Sequence, residues 1–361
     1  MFFFHSQFVL HGMPGATLRG TFSAAASGVS FFFILSGFVL AWSWRPQRKR
    51  NFWQDRFARI WPSHAVAWVV ATLAVAPLAF RVATIRTLLG APSMLTLVLV
   101  QAWIPSRRWY AAGNAVSWSL SCEAFFYLCF PVVIVVVARA RRPWLLLGGA
   151  VATSFAVAAV GTSMSSSLGL WWGYYFPLAR LPEFVAGVVL ARLVGDGRWP
   201  RLPLGPVLAI AAAAVFCARW LPYDLLYVVG PLIPLGALVA TAAGAELGGG
   251  ARRLRHPWLI RLGEISFAFY LLHSSVISEG VKRLAWTSRD GVSDSLVAGL
   301  FLVAAMAAAW LLNVAVERPM QRLLRARPRT LRQPTGVDTE ATVPTGTPPA
   351  RSTEDTPGPL P

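Results

Sequence analysis

The chain has 361 residues, of which 56% are hydrophobic and only 13% are charged, and its mean hydropathy is +0.55. A soluble domain carries about 25% charged residues, so the composition excludes an ordinary soluble enzyme and favours a protein whose surface faces the lipid bilayer. The net charge of +18 does not indicate nucleic-acid binding. The arginines cluster in short segments between apolar runs, as in the cytoplasmic loops of membrane proteins.

Nine apolar segments approach the roughly 20 residues that a helix needs to cross a bilayer. They are residues 22–43, 61–80, 117–138, 144–162, 177–195, 204–220, 223–245, 263–283 and 294–316. Two further segments are ambiguous, because 1–12 is apolar but short and 85–104 is interrupted by Gly90 and Pro92. The sequence therefore predicts an all-α, polytopic integral membrane protein.

Four basic regions indicate the topology: residues 45–59, 139–142, 252–261 and the segment after 317. An excess of Lys and Arg marks cytoplasmic loops, and all four regions are cytoplasmic only if 85–104 is a re-entrant or interfacial segment. With 1–12 as the end of a first helix, this gives ten transmembrane helices and places both termini in the cytoplasm. That first helix would need about 10 more residues to cross the bilayer. A start codon chosen too far downstream would explain why it is short.

The end of the chain differs in composition from the rest. Residues 328–361 are rich in Pro, Thr, Gly and acidic side chains and have no apolar periodicity, which is typical of a disordered segment. We therefore predict a membrane domain over 1–327 and a disordered cytoplasmic tail over 328–361. No Cys/His cluster has the spacing of a metal site, so none is predicted.

Two arginines, Arg56 and Arg59, stand three residues apart at the mouth of the second long apolar segment. On a helix they project from one face, a turn apart, and we call the pair the arginine fork. Such a fork either anchors a helix at the boundary between water and lipid or holds the phosphates of a soluble donor. Guanidinium groups suit the second role because they bind phosphate through two parallel hydrogen bonds.

Ionisable side chains inside apolar segments are costly in a membrane and are functional candidates for that reason. His5 lies in the first segment, where a neutral imidazole either acts as a general base toward a hydroxyl or simply bonds a backbone carbonyl at a helix end. Glu123 lies near the start of a helix. There it either takes part in chemistry or caps the helix, which the helix dipole favours.

Later segments contain two more polar pairs. Arg180 and Glu183 are three residues apart and form either an intrahelical ion pair or part of a pocket. Tyr270 and His273 share a helix face, where they either line a pocket or satisfy each other's hydrogen bonds. Glu317-Arg318-Pro319 closes the last apolar segment and is interpreted as a structural stop.

Six strings of residues resemble, in order, the motifs of one family of membrane enzymes. Gly28–Phe38 resembles its GVxxFFxxSGF helix, Phe52–Pro62 its FxxRRxxRIxP loop and Trp118–Tyr127 its WSLSxExxFY signature. Pro177–Gly187, Leu262–His273 and Val316–Pro319 resemble its later helices and its closing motif. The family is acyltransferase family 3, multi-pass membrane O-acyltransferases that modify polysaccharides, lipopolysaccharide, nodulation factors and some macrolides.

The resemblance implies particular site residues. Family members carry an essential histidine in the first helix, which His5 matches, with His11 as an alternative nearer the external loop. Their paired-arginine motif is matched by Arg56 and Arg59. A further arginine, usual in the family upstream of the histidine, would fall before Met1 in this chain.

The resemblance also implies a reaction, the transfer of a short acyl group, most simply acetyl, from cytoplasmic acyl-CoA to a hydroxyl of a glycan or a glycosylated metabolite. The arginine fork would hold the donor phosphates, His5 would take or carry the hydroxyl proton, and Glu123 would orient a histidine or bind the acceptor. Residues expected to line the substrate pocket are Ser119, Arg180, Glu183, Tyr270 and His273. No tightly bound cofactor is expected.

A transporter or flippase that moves acyl or glycan intermediates without chemistry is the alternative function. It would use the same intramembrane His, Glu and Arg side chains. Such proteins are commonly built from internal repeats, and the sequence shows none.

Overall fold

The computed structural model describes residues 1–7, 25–45, 51–74, 90–221, 230–250, 252–287 and 291–324. These residues form helices and turns without any strand, so the all-α prediction is confirmed for them. All of them belong to the compact unit Met1–Ala326. The predicted tail over 328–361 and the alternative base His11 lie outside the described residues.

The described residues contain fourteen α-helices. In order, they are α1 Phe2–Ser6, α2 Gly28–Ser43, α3 Phe52–Ala74, α4 Ala91–Leu97, α5 Arg107–Tyr110, α6 Trp118–Arg139, α7 Pro143–Thr162, α8 Ser166–Leu170, α9 Pro177–Gly195, α10 Leu204–Cys217, α11 Leu232–Leu247, α12 Pro257–Arg283, α13 Gly291–Leu312 and α14 Arg318–Leu324. Single 3-10 turns precede α2 and α6, and a π turn, Asn313–Glu317, joins α13 to α14.

Four of the described helical segments are long and apolar enough to cross a membrane: Ala25–Ser43, Ala115–Arg139, Pro143–Thr162 and Gly291–Leu324. Helices α3, α9 and α12 are of comparable length, at 23, 19 and 27 residues, but have charged side chains within them. Helices α10 and α11 are apolar but shorter. The described part of the chain is therefore all-helical and fits a membrane protein, while the predicted number of ten crossings is not confirmed.

Two predicted helix boundaries are wrong. The apolar segment predicted to begin at residue 61 is part of helix α3, which begins at Phe52 and contains Pro62, so the arginine fork lies within a helix as its spacing predicted. The last helix does not stop at Pro319, because the π turn over Asn313–Glu317 places this proline in the first turn of α14. A proline in a first turn costs no hydrogen bond, since its missing N–H would have no partner there.

The ambiguous segment 85–104 is described from residue 90 onward. It forms the seven-residue helix α4, capped by Gly90, and a 3-10 turn over Gln101–Trp103. Between them Leu99 adopts a left-handed conformation, with φ at 63°. A helix of this length extends only about 10 Å, which is too short to cross a bilayer and fits a re-entrant or interfacial segment.

Contacts between helices bring the first two basic regions together. The C-terminal ends of α2, α6 and α9 meet, because Arg45, Ala138 and Gly195 line one cavity. Phe52 at the start of α3 stacks on Phe130 of α6, with ring centroids 5.3 Å apart. The described residues of regions 45–59 and 139–142 therefore lie on the same side of the bundle.

The other two basic regions lie on that side as well. The side-chain Nε2 of Gln54 donates to the backbone oxygen of Leu324 at 2.7 Å, which joins the start of α3 to the end of α14. Arg318 of α14 pairs with Glu264 in the first turns of α12, at 2.7 Å. The described residues of all four regions thus occupy one end of the bundle, as a one-sided distribution of positive charge requires; we call it the basic end.

Helices α2 and α9 cross with their backbones in contact at two glycines. A Cβ added at Gly37 would overlap the backbone oxygen of Phe184, and one added at Gly187 would overlap that of Ile34. Small residues permit such close approach between membrane helices. The crossing fixes the position of Ser36 on α2, which belongs to the site described below.

We expect Gly187→Ala to lower the melting temperature of the detergent-purified protein. The added methyl group forces the helices apart, and overpacking of this kind costs about 1–3 kcal/mol. Gly148→Ala on α7 is the matched control, because nothing lies within 4 Å of its added Cβ and alanine is favoured over glycine in a helix by about 1 kcal/mol. Melting is monitored by tryptophan fluorescence. Equal melting temperatures for the two variants would contradict the close crossing.

Candidate active site

Two histidines that are far apart in the sequence lie side by side inside the bundle. The ring of His5 on α1 and that of His273 on α12 have centroids 5.1 Å apart. The short helix α1 docks on α12 through Phe2, whose ring lies 6.2 Å from that of Phe269. His273 is fully buried and His5 is partly buried. The structure therefore brings the predicted base next to a residue that was predicted to line the pocket.

Each of the two imidazoles has a buried nitrogen that is available for a hydrogen bond. His273 uses Nδ1 toward its own helix, at 2.8 Å from the backbone oxygen of Tyr270 and 3.1 Å from that of Phe269. Among the described residues, no hydrogen-bond partner meets the buried Nε2 of either His5 or His273. A buried polar atom without a partner is costly, and both Nε2 atoms can still form a hydrogen bond.

Three hydrogen bonds hold α12 against the start of α6. The Tyr270 hydroxyl lies 2.7 Å from Ser119 Oγ and donates to the backbone oxygen of Val116 at 3.0 Å. The side-chain Nδ2 of Asn114 donates to the backbone oxygen of Leu271 at 2.8 Å. The side chains of Tyr270 and His273 thus bond to other groups and not to each other, although His273 Nδ1 bonds the Tyr270 backbone oxygen. The three hydrogen bonds between α12 and the start of α6 fix the position of His273 along the bundle.

Glu123 lies on the same face of α6 as Ser119, one turn closer to the basic end. Its side chain is buried, accepts a hydrogen bond from Ser36 of α2, and lies within reach of the Tyr127 hydroxyl. It also interacts electrostatically with both guanidinium groups of the arginine fork. Glu123 sits in the second turn of α6 rather than at its cap, and the partners found for it in the described structure do not include a histidine.

The arginine fork faces Glu123 from α3. The guanidinium carbon of Arg56 lies 5.9 Å from the centre of the Tyr127 ring, and Arg59 is exposed and interacts with the charge of Glu317 as well as that of Glu123. The ion pairs within 4 Å in the described part of the chain use other cations. The fork therefore has carboxylates nearby but is not neutralised by direct pairing, which leaves both guanidinium groups able to bind an anion.

These side chains follow one another from the basic end inward, with Glu123 and Ser119 one turn apart on α6, and we call the set the polar track. From the basic end inward its members are Arg59, Arg56, Tyr127, Glu123, Ser36, Ser119, Tyr270, His273 and His5. Four residues along α6 and three along α12 separate Glu123 from His273, so the histidines lie about 10 Å deeper than Glu123. The track connects a cationic entrance to a buried pair of imidazoles.

Arg180 and Glu183 form an ion pair apart from the fork and the histidines. The guanidinium NH2 lies 3.1 Å from the Glu183 carboxylate, both side chains are buried, and the same nitrogen donates to Ser30 Oγ of α2 at 3.0 Å. The Arg180 guanidinium also lies over the rings of Phe33 and Tyr174, at 5.3 and 5.6 Å. Of the two interpretations of these residues, the geometry supports the ion pair, which ties α9 to α2.

Comparison with known proteins gives the family. A model of the acyltransferase domain matches residues 1–314. The chain belongs to acyltransferase family 3. Its resemblance to that family, and the enzyme class acyltransferase, are thereby confirmed.

Three relatives of this acyltransferase align with nearly its whole length. It is 34% identical over 347 residues to acyltransferase MdmB of Streptomyces mycarofaciens, covering 89% of this chain and 88% of that protein. It is 29% identical over 318 residues to exopolysaccharide production protein ExoZ of Rhizobium meliloti, covering 85% of this chain and 92% of that protein. It is 26% over 324 residues to Nodulation protein 10 of Rhizobium leguminosarum bv. viciae, covering 83% of each. No solved structure matches the chain.

Sequence reasoning did not single out three residues of this family member's site: Ser36, Asn114 and Tyr127. Tyr127 stands four residues after Glu123, a spacing that places both on one helix face and was a usable signal. Ser36 reaches Glu123 from a helix 87 residues earlier in the chain, and Asn114 reaches across to the backbone of α12. No local pattern in the sequence identifies contacts of these last two kinds.

Proposed function

We propose that this acyltransferase moves an acyl group, most simply acetyl, from acyl-CoA to a hydroxyl of a carbohydrate or a glycosylated metabolite such as a macrolide. The observation that carries the proposal is the polar track, which leads from an arginine fork without direct ion pairs to the imidazoles of His5 and His273, whose buried Nε2 atoms have no hydrogen-bond partner among the described residues. The name of one relative refers to exopolysaccharide production, and that supports a sugar-bearing acceptor.

The donor binds at the basic end in this proposal. Positively charged loops face the cytoplasm, so we place the basic end there, where acyl-CoA is available. Arg56 and Arg59 hold phosphate groups of the CoA through charge-assisted hydrogen bonds. Glu123 lies beside the fork and not beside a histidine, so we assign it to the donor side, where it keeps Ser36, Tyr127 and the fork in place.

His5 carries the proton during transfer. The acceptor hydroxyl gives its proton to the imidazole as its oxygen bonds to the thioester carbon, the bond between carbon and sulfur breaks, and His5 returns the proton to the CoA sulfur. The products are an ester and free CoA, with no net proton gained or lost. General base catalysis of this type is worth about 10²- to 10⁴-fold, and the steps need neither a metal nor a tightly bound cofactor.

The test is acceptor-dependent release of CoA. The purified chain in detergent is given acetyl-CoA together with either an oligosaccharide or a glycosylated macrolide, free thiol is measured, and the acceptor is examined by mass spectrometry. We expect thiol release together with an acceptor heavier by one acetyl group. Movement of the acceptor across liposomes containing the protein, without any thiol release, would instead support a flippase.

A further inference from the structure

The tautomer of His273 follows from its hydrogen bonds. Its Nδ1 lies against two backbone carbonyl oxygens, of Tyr270 and Phe269, and because a carbonyl oxygen only accepts, Nδ1 carries the hydrogen. In a neutral imidazole the other nitrogen then bears a lone pair. The Nε2 of His273 is therefore a hydrogen-bond acceptor on the edge of the ring that points away from its own helix backbone.

Aromatic rings enclose this acceptor and the neighbouring imidazole. Phe269 stacks on His273 with ring centroids 5.6 Å apart, and Phe4 meets His5 edge-on at 5.1 Å. In such surroundings a positive charge on His5 has little water to stabilise it. A neighbouring lone pair therefore stabilises that charge more strongly than it would in solvent. His273 provides that lone pair, since its ring is 5.1 Å from the His5 ring.

We propose that His273 is a positioning residue for His5, which stabilises the imidazolium formed during acyl transfer. This inference rests on the proposed role of His5. The proton moves from the acceptor hydroxyl to His5 and then to the CoA sulfur, while His273 stays neutral and presents its Nε2 lone pair to the protonated His5 ring. The backbone carbonyls of α12 keep the hydrogen on Nδ1 of His273. The hydrogen bonds of Tyr270 and Asn114 fix the position of the His273 ring along the bundle.

Another buried histidine provides a matched control. His64 on α3 is also fully buried; its Nε2 lies 3.0 Å from the backbone oxygen of Thr96, and its buried Nδ1 has no hydrogen-bond partner among the described residues. His64 therefore resembles His273 in burial and in having one nitrogen bonded to a backbone oxygen, but the ring contact with a second imidazole is described only for His273. A role for His273 that was only structural would make the two histidines equivalent in their effect on activity.

The experiment uses amide side chains that replace one ring nitrogen at a time. In the full chain, His273→Asn keeps a donor near the position of Nδ1 but has no atom at the position of Nε2, whereas His273→Gln presents its oxygen near the position of Nε2. His64→Gln is the mirror-image control, because it keeps an atom near the backbone-bonded Nε2 and removes the free Nδ1. Each variant is assayed with acetyl-CoA and with the oligosaccharide or macrolide on which the wild type acts.

We expect His273→Asn to lower kcat by about 10-fold or more, a part of the 10²- to 10⁴-fold that proton transfer supplies, with KM for acetyl-CoA unchanged. His273→Gln should retain most of the rate, and His64→Gln should match the wild type. Wild-type kcat in His273→Asn, or an equal loss in His273→Asn and His273→Gln at unchanged melting temperature, would overturn the inference even if His5→Ala were inactive. A wild-type chain that releases no CoA would overturn the proposed function, and this inference with it.

Discussion

We expect His5→Ala to lower kcat for acyl transfer by about 10²- to 10⁴-fold, the range that a general base contributes. KM for acetyl-CoA should stay the same, because the imidazole lies about 10 Å deeper in the bundle than Glu123, which interacts electrostatically with the arginine fork. The measurement is thiol release at saturating acceptor. Unchanged kcat in this variant would remove His5 from the mechanism.

The control for His5→Ala tests whether α1 stays in place. Phe3, two residues earlier, is exposed at 42% and points away from the buried face formed by Phe2 and Phe4. Phe3→Ala should therefore leave kcat at the wild-type value. Equal losses in the two variants would show that the docking of α1, and not proton transfer by His5, limits the rate.

The two ends of the polar track could be predicted from the sequence to different degrees. The spacing of Arg56 and Arg59 placed both guanidinium groups on one helix face, and the structure shows the helix that this requires. The contact between His5 and His273 depends on the docking of a five-residue helix onto the middle of α12. Local patterns cannot predict such docking, because contacts between distant segments decide it.

The errors in the helix boundaries have a physical cause. The basic charge of region 45–59 suggested a loop, yet the side chains of Arg56 and Arg59 can extend toward water from a helix whose backbone continues into the membrane. The proline at 319 suggested a stop, yet a π turn placed it in a first turn, where its missing N–H is harmless. In both places the helix continued through a signal, basic charge or proline, that usually marks the end of a helix.

The arginine fork is able to serve both as an anchor and as an anion site. Arg59 is exposed at the basic end, as an anchor should be, whereas Arg56 is partly buried over the Tyr127 ring and faces the track. An anchor alone has no need of Glu123 and Glu317 close to the fork. These carboxylates stabilise the positive charge without pairing directly with it, so that phosphate groups can form the direct hydrogen bonds.

We expect the double variant Arg56→Ala/Arg59→Ala to lower kcat/KM for acetyl-CoA by about 100-fold. Each hydrogen bond to a charged group contributes about 1.5–3 kcal/mol, and every 1.4 kcal/mol is a factor of ten. The informative comparison is with S-acetylpantetheine, a donor that carries the thioester without the phosphates of CoA. Since the fork contacts only the phosphates in the proposed complex, the variant should use this donor as well as the wild type does.

Arg318→Ala separates binding by the fork from the general positive charge of the basic end. Arg318 lies at that end but is paired with Glu264 at 2.7 Å, so its removal lowers the local charge without touching the fork. We expect it to change kcat/KM for acetyl-CoA far less than the double variant does. If the double variant instead lost activity equally with both donors, the fork would be acting as an anchor that holds α3 against α6, and the phosphates of CoA would have to bind elsewhere.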